Sequence, residues 1–166
     1  HWREALTGDF FSTSELEGLS TSYYRPLVRL AFLAQAELFA VRPLGFHAVS
    51  IGLHLACVVL AFFWLVRRVG RGPAAALACG VALLPFAVHP SRPETVTWIS
   101  GSTDLWLAFF GLLALTAWDT LQGWRRVAVT STCLVLALAS KEAAVVFPVL
   151  LASDAMLLPS LRPRRS

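Results

Sequence analysis

The chain has 166 residues, of which 57% are hydrophobic and only 14% are charged, and its formal net charge at pH 7 is +4. A soluble domain is ordinarily about 45–50% apolar, so this composition favours a membrane protein. The excess of basic residues could indicate a nucleic-acid-binding protein. Most of it lies in three arginine clusters between apolar stretches, so membrane orientation explains it better and we expect no nucleic-acid partner. Three cysteines, Cys57, Cys79 and Cys133, lie inside apolar stretches and are predicted to be small buried residues, not a disulfide framework.

Residues 1–43 are predicted to form an outer loop followed by an interfacial helix. Residues 1–22 are polar and rich in Gly, Ser and Thr, which is typical of an exposed loop. From Pro26 to about Ala40 the sequence is amphipathic, and proline is favoured as a first helical residue. We expect this helix to lie in the membrane interface and to end before Arg42 and Pro43.

Residues 44–166 are predicted to form one helical membrane region with about five spanning helices. Residues 44–66 give the clearest span, because a hydrocarbon core needs about 20 residues, and Trp64 and Arg67 lie where interface residues are expected. Four shorter spans are predicted at residues 73–88, 104–121, 127–139 and 143–158. The predicted fold is therefore all-α, that of a polytopic membrane protein. Since the chain begins with His1 and not Met, we expect it to be part of a longer protein.

The breaks between the apolar stretches alternate in the kind of charge that they carry. Arginine clusters occupy alternate breaks, and such clusters stay on the cytoplasmic side of a membrane. The remaining breaks contain acids, a lysine and a histidine, which assigns them to the outer face. The arginine set is Arg67, Arg68, Arg71, Arg125, Arg126, Arg162, Arg164 and Arg165, and the outer set includes His89, Arg92, Glu94, Asp104, Lys141 and Glu142. This pattern predicts a polar site on the outer side.

Each outer residue also has an ordinary structural explanation when it is taken singly. Asp9 lies in a Ser/Gly-rich loop and could be a solvated or turn-forming acid. Asp104 begins a predicted helix, where capping or a favourable dipole interaction would explain it. Arg25 could extend to lipid headgroups, and Glu94 and Glu142 could be ordinary first-turn acids. Only the set as a whole is specific, because the topology gathers it on one face.

The order of short motifs along the chain is similar to that of a known family. The motifs are Asp9-Phe10, Tyr24-Arg25-Pro26-Leu27, Phe46-His47, Leu53-His54, His89-Pro90, Glu94, Val96, Ile99, Gly101, Asp104-Leu105 and Ser140-Lys141-Glu142 with Pro148. In order and topology they resemble the membrane module of the transmembrane and tetratricopeptide-repeat O-mannosyltransferases and their bacterial relatives, which are glycosyltransferases of the GT-C class. One position departs from the pattern, since the family usually has arginine where this chain has Ser102.

The resemblance implies an inverting enzyme that moves a sugar, expected to be mannose, from a polyprenyl-phosphate donor to a Ser or Thr hydroxyl of a protein. Asp9 matches the loop acid of the family and is the predicted catalytic base, a role that contributes about 10²–10⁴-fold. Three residues are expected to bind the donor phosphate, and three acids to orient them or to contact sugar hydroxyls. The phosphate-binding residues are Arg25, Lys141 and His89, and the supporting acids are Glu94, Asp104 and Glu142. Asp119, at the opposite membrane end, is expected to have no part in the site.

The resemblance also implies the surroundings in which the chain works. The expected location is the bacterial inner membrane, or the endoplasmic reticulum membrane in a eukaryote, with the site on the non-cytoplasmic side. Its expected partners are membrane lipid, the lipid-linked donor and a protein or glycan acceptor. No cofactor beyond the donor is implied with certainty, no metal-ligand cluster is recognised, and the need for a divalent metal stays open.

Two alternative functions are kept at this point. The first is a related transferase that builds a lipid-linked or surface glycan instead of modifying protein. The second is a non-catalytic transporter or scaffold whose outer charges are structural. Transporters place ionisable residues near the bilayer midplane. The predicted helix interiors hold almost none besides His54 and Asp154, which is near a helix end, and this argues against the second alternative.

Overall fold

The computed structural model describes residues 25–40, 42–70, 72–88 and 98–157. Within these ranges the chain forms α-helices and two 3₁₀ turns and contains no strand, so the all-α prediction is confirmed for this part of the chain. The helices are α1 (Pro26–Phe39), α2 (Pro43–Val69), α3 (Pro73–Val88), α4 (Thr103–Thr120), α5 (Gly123–Ser140) and α6 (Val146–Leu157), and the 3₁₀ turns are Ile99–Ser102 and Glu142–Val145.

The helix boundaries follow local signals in the sequence. Helices α1 and α2 each begin at a proline, whose fixed φ suits the first helical position. Helix α5 begins at Gly123, four residues before the predicted start, because its first turn includes Arg125 and Arg126, which the apolar pattern leaves out. The last predicted helix is divided, since a 3₁₀ turn beginning at Glu142 precedes α6.

One helix within the described residues is long and apolar enough to cross a membrane. Helix α2 has 27 residues, with a mean hydropathy of 2.4 over its best 18-residue stretch. Helix α3 is apolar but has only 16 residues. The predicted number of about five spanning helices is therefore not supported: α4 carries Asp104 and Asp119 near its ends, α5 carries two arginines, and α6 has 12 residues.

Helix α2 presents a row of large apolar side chains outward. Only 22% of its most apolar stretch is buried inside the protein. Ile51, Leu55, Val59 and Phe63 are all exposed, and their spacing of four residues places them along one face of the helix. A continuous apolar surface of this kind is unusual on a soluble monomer and marks a contact with lipid or with another protein surface.

Helix α4 lies at the centre of the described bundle. It packs most extensively against α5 and next against α2. Gly111, Ala114 and Ala117 are buried on α4, and small residues allow neighbouring helices to approach closely. The ring of Phe147 in α6 lies against Gly111, where a Cβ atom would overlap it. The three cysteines are buried and free, as predicted.

Candidate functional site

Two ion pairs meet where α5 ends and the following 3₁₀ turn begins. Lys141 Nζ donates a 2.6 Å hydrogen bond to Asp104 Oδ1, in the first turn of α4. The next residue, Glu142, accepts hydrogen bonds of 3.0 and 3.3 Å from Nη2 of Arg25, the residue that precedes α1. Two consecutive residues thus hold the starts of two helices that are far apart in sequence.

The backbone around Lys141 explains why its side chain and that of Glu142 reach different helices. Helix α5 ends at Ser140, whose Oγ donates a 2.9 Å hydrogen bond back to the carbonyl oxygen of Leu136. Lys141 is then extended, with φ −160° and ψ 140°. Successive side chains of an extended segment point to opposite sides. Lys141 can therefore contact α4 while Glu142 contacts the start of α1.

The cations of the two pairs are buried more deeply than the acids. The side chains of Arg25 and Lys141 are 16% and 26% exposed, whereas those of Glu142 and Asp104 are 64% and 49% exposed. The pKa of Glu142 is lowered by hydrogen bonding to its own backbone, by the hydrogen bond and charge of Arg25, and by the charge of Lys141. Glu142 is therefore ionised at neutral pH.

This arrangement can bind an anion without losing the existing pairs. An arginine has five N–H donors and a lysine has three, so each can hold a carboxylate and an added oxyanion together. The exposed carboxylates face outward, where they can accept hydrogen bonds from hydroxyl groups. Within the described ranges, no group of three His, Cys, Asp or Glu side chains is placed to hold a metal ion.

Four of the predicted site residues are brought together by the fold. These are Arg25, Asp104, Lys141 and Glu142, which form the two ion pairs. The predicted base Asp9, the predicted phosphate ligand His89 and the supporting acid Glu94 lie outside the described residues. The assigned roles of all seven residues stay predictions. The geometry shows that Glu142 pairs with Arg25 and that Asp104 pairs with Lys141.

Position 102 contributes no cation to this cluster. Ser102 closes the 3₁₀ turn before α4, two residues before Asp104. The residue is only 4% exposed, and its Oγ is buried without a hydrogen-bond partner among the described residues. Leaving a buried hydroxyl unpaired costs about 1–3 kcal/mol. Ser102 therefore supplies no charge at the position where the resembled family usually has arginine.

A second charge cluster, which the sequence analysis missed, lies at the other end of the bundle. Arg68, in the last turn of α2, donates two 2.7 Å hydrogen bonds to Asp119 of α4. It also pairs with Asp154 of α6, with 3.1 Å between Nη2 and Oδ2. The three side chains are nearly buried, at 11%, 2% and 12% exposure. The sequence feature that could have indicated this cluster is the presence of two acids, Asp119 and Asp154, in apolar helices near an arginine cluster.

The two clusters are separated by most of the length of α4. Asp104 and Asp119 are 15 residues apart in one helix, which corresponds to about 22 Å along the axis. Arg126 lies on the Asp119 side, because its Nε donates a 2.7 Å hydrogen bond to the carbonyl oxygen of Trp118. The described arginines of the predicted cytoplasmic clusters thus sit at the opposite end from Arg25 and Lys141.

Known proteins share this stretch of sequence. Protein O-mannosyl-transferase TMTC1 of Homo sapiens is 33% identical over 114 residues, which cover 69% of this chain and 13% of that protein. TMTC3 of Homo sapiens is 29% identical over 140 residues, covering 81% of the chain and 15% of that protein. Tmtc1 of Drosophila melanogaster is 31% identical over 143 residues, covering 84% and 16%.

The chain therefore spans 13–16% of the length of these curated relatives. No protein-family model matches the chain, and no solved structure matches it significantly. The resemblance inferred from the motifs is confirmed: most of this chain is similar to a segment of the TMTC protein O-mannosyl-transferases.

Proposed function

We propose that the chain is part of a membrane glycosyltransferase that moves mannose from a polyprenyl-phosphate donor to a Ser or Thr hydroxyl of a protein, with inversion. The observation that carries the proposal is the similarity to proteins named protein O-mannosyl-transferases. The paired Arg25 and Lys141 add a place for the donor phosphate. The whole activity requires the longer protein, since this chain is a small part of its relatives.

The charge distribution supports a membrane placement for this segment. Helix α4 has 18 residues, about 27 Å of helix, which is close to the roughly 30 Å of a hydrocarbon core. Its terminal aspartates are each paired with a cation, Lys141 at one end and Arg68 at the other. We place α3, α4 and α5 beside α2 in the membrane, with the exposed Arg67 on the cytoplasmic side. Arg25 and Lys141 then lie on the outer side.

The proposed chemistry assigns separate tasks to the residues of this chain. The acceptor hydroxyl oxygen forms a bond to the anomeric carbon while the bond from that carbon to the phosphate oxygen breaks. The hydroxyl proton passes to the Asp9 carboxylate, and the electron pair of the broken bond stays on the phosphate. Arg25 and Lys141 stabilise the charge that grows there, which favours the transition state over bound donor.

The two paired acids keep the cations in position before the donor arrives. Glu142 contacts Arg25 through Nη2, and Asp104 contacts the Lys141 ammonium. Without these acids, two long side chains would have to be ordered by the donor itself, which weakens binding. Because the acids are the more exposed partners, they are also placed to accept hydrogen bonds from sugar hydroxyls.

The experiment uses the full-length protein in lipid vesicles with labelled polyprenyl-phosphate mannose. A Ser/Thr-containing protein acceptor and a lipid-linked glycan acceptor are supplied in separate reactions. We expect labelled mannose on the protein acceptor, with inverted anomeric configuration. Transfer to the glycan acceptor alone would replace the proposal by the related glycan-building transferase. Absence of transfer to either, in vesicles that bind the donor, would contradict the enzyme proposal.

A further inference from the structure

A groove on the Asp119 side of the bundle belongs to neither charge cluster. It has a volume of about 320 Å³ and lies between α4, α5 and α6. Apolar atoms form most of its surface, and its lining includes Trp118, Leu134, Pro148, Leu151 and Ala152 together with the hydroxyl residues Thr130 and Ser131. Its size is at the lower end of the range of about 300–1,000 Å³ that is usual for small-molecule sites.

Arg126 lies next to this groove, and Arg125 precedes it in the first turn of α5. The guanidinium of Arg126 stacks on the ring of Trp118, with 4.1 Å from Cζ to the ring centroid. Arg125 is exposed and lies 5.8 Å from the ring centroid of Trp124. Both arginines are in the first turn of α5, where the helix dipole adds partial positive charge. Since Trp118 also lines the groove, the apolar surface and the cationic surface are continuous.

Two other grooves in the described ranges differ from this one. A groove of the same volume between α2 and α3 is lined by apolar residues such as Phe62 and Leu84 and by no charged residue. A third groove, between α1 and α2, is lined by Glu37 and Arg42, whose charges oppose each other. The groove between α4, α5 and α6 joins an apolar channel to charge of one sign, which is the pattern that an anionic amphiphile fits.

We propose that this groove binds an anionic phospholipid of the cytoplasmic leaflet. One acyl chain lies along Leu134, Pro148 and Leu151, and the lipid phosphate lies at Arg125 and Arg126. Tryptophan is favoured at the level of the headgroups, where Trp118 and Trp124 are found. Basic side chains next to a membrane attract anionic lipids of that leaflet. This inference rests on the membrane placement proposed above and not on the transferase chemistry.

The test measures which lipids stay on the purified full-length protein. The protein is exchanged into equal amounts of phosphatidylglycerol and phosphatidylcholine, and the retained lipids are counted by native mass spectrometry. We expect at least a fivefold preference for phosphatidylglycerol. The double variant Arg125→Gln/Arg126→Gln should lose this preference, whereas Arg67→Gln, which removes an exposed cation at the same end, should keep it. Equal retention of both lipids by the wild type, or equal behaviour of the two sets of variants, would overturn the proposal.

The apolar part of the site has its own pair of variants. Ala152→Phe places a ring in the groove, and Ala128→Phe places the same ring on an exposed position of α5 that does not line it. We expect Ala152→Phe to lower the amount of retained lipid several-fold and Ala128→Phe to leave it unchanged. If both retain lipid like the wild type, an acyl chain does not occupy the groove. Lipid retention is read without sugar transfer, so failure here is separate from failure of the proposed function.

Discussion

Lys141 and Asp104 close the open end of an antiparallel hairpin. Helices α4 and α5 are joined at their other end by a connection of only two residues, 121–122, and they form the most extensive helix–helix contact among the described residues. The 2.6 Å contact between Lys141 Nζ and Asp104 Oδ1 therefore links α4 and α5 at the end of the hairpin where no loop connects them. The same contact fixes the position of the ammonium that is proposed to bind phosphate.

Replacing Lys141 should affect the donor more strongly than replacing its acidic partner. A hydrogen bond to a charged group is worth about 1.5–3 kcal/mol, or roughly 10–100-fold. We expect Lys141→Ala to weaken donor binding by about that factor and to lower turnover as well. Asp104→Asn keeps the ammonium and a hydrogen-bond acceptor, so its loss should be about tenfold smaller. Donor affinity and transfer rate, measured separately in vesicles, check both values, and Arg67→Ala is the matched control. Equal donor affinity in Lys141→Ala and wild type would remove this residue from the phosphate site.

The Arg25–Glu142 pair allows a test that separates support from binding. Arg25→Glu should weaken donor binding and also lower stability, because it places two acids together at the start of α1. The charge-reversed double variant, Arg25→Glu/Glu142→Arg, should recover stability through the restored ion pair. It should not recover donor binding, because the guanidinium now comes from the exposed side of the cluster. Full recovery of both, by thermal unfolding and donor titration, would show that Arg25 acts only as a structural ion pair.

The adjacent residues Arg67 and Arg68 provide a matched comparison of stability. Arg68 is nearly buried and paired with Asp119 and Asp154, whereas Arg67 is exposed. Removing one partner of a buried pair costs about 3–5 kcal/mol because a charge is left uncompensated. We expect that loss for Arg68→Ala and for Asp119→Asn, and a change within about 0.5 kcal/mol for Arg67→Ala. Denaturant unfolding in detergent measures all three, and similar values for Arg67→Ala and Arg68→Ala would show that the buried cluster contributes little.

The pH dependence of the unfolding free energy should reveal the stabilisation that the ionised Glu142 carboxylate contributes. Its pKa is lowered from the ordinary value of 4.5, chiefly by its own backbone hydrogen bonding and by Arg25. The stabilisation is therefore fully present above pH 4.5 and is lost as the pH falls through the lower pKa of the folded protein. The difference in unfolding free energy between wild type and Glu142→Gln should be constant from pH 7 to about 5 and should shrink below pH 4.5. A difference that disappears already near pH 6 would show that this carboxyl is not stabilised in its charged form.

The sequence predicts the helices well because their apolar periodicity is long and regular. Leu44 and the residues after it give α2 without ambiguity, and Pro43 marks its start. The predicted number of spanning helices is not supported by helix length and composition. Charge at helix ends lowers the mean hydropathy, as Asp104 and Asp119 do in α4. Whether such charges are paired depends on tertiary contacts, which periodicity does not contain.

The candidate site shows the same division between local and long-range information. The motif order supplied Arg25, Asp104, Lys141 and Glu142, but nothing in their spacing says that Arg25 pairs with Glu142 and not with Asp104. Arg67 and Arg68 were assigned together to a cytoplasmic arginine cluster, and the sequence does not distinguish the two residues. Helix rotation decides which of the two faces Asp119. The buried contact of Asp119 with Arg68 gives it a structural role that the sequence did not indicate, and its expected absence from the outer site stays a prediction.

The buried position of Arg68 has a consequence for the time course of synthesis. Asp119 follows Arg68 by 51 residues along the chain, and Asp154 follows it by 86. At about 5–20 residues per second, roughly 4 to 17 s pass between the synthesis of Arg68 and that of Asp154. During this interval α2 carries a guanidinium whose second carboxylate does not yet exist. The complete ion-pair cluster of Arg68 with Asp119 and Asp154 therefore cannot form until α6 has been synthesised, even if α2 enters the membrane early.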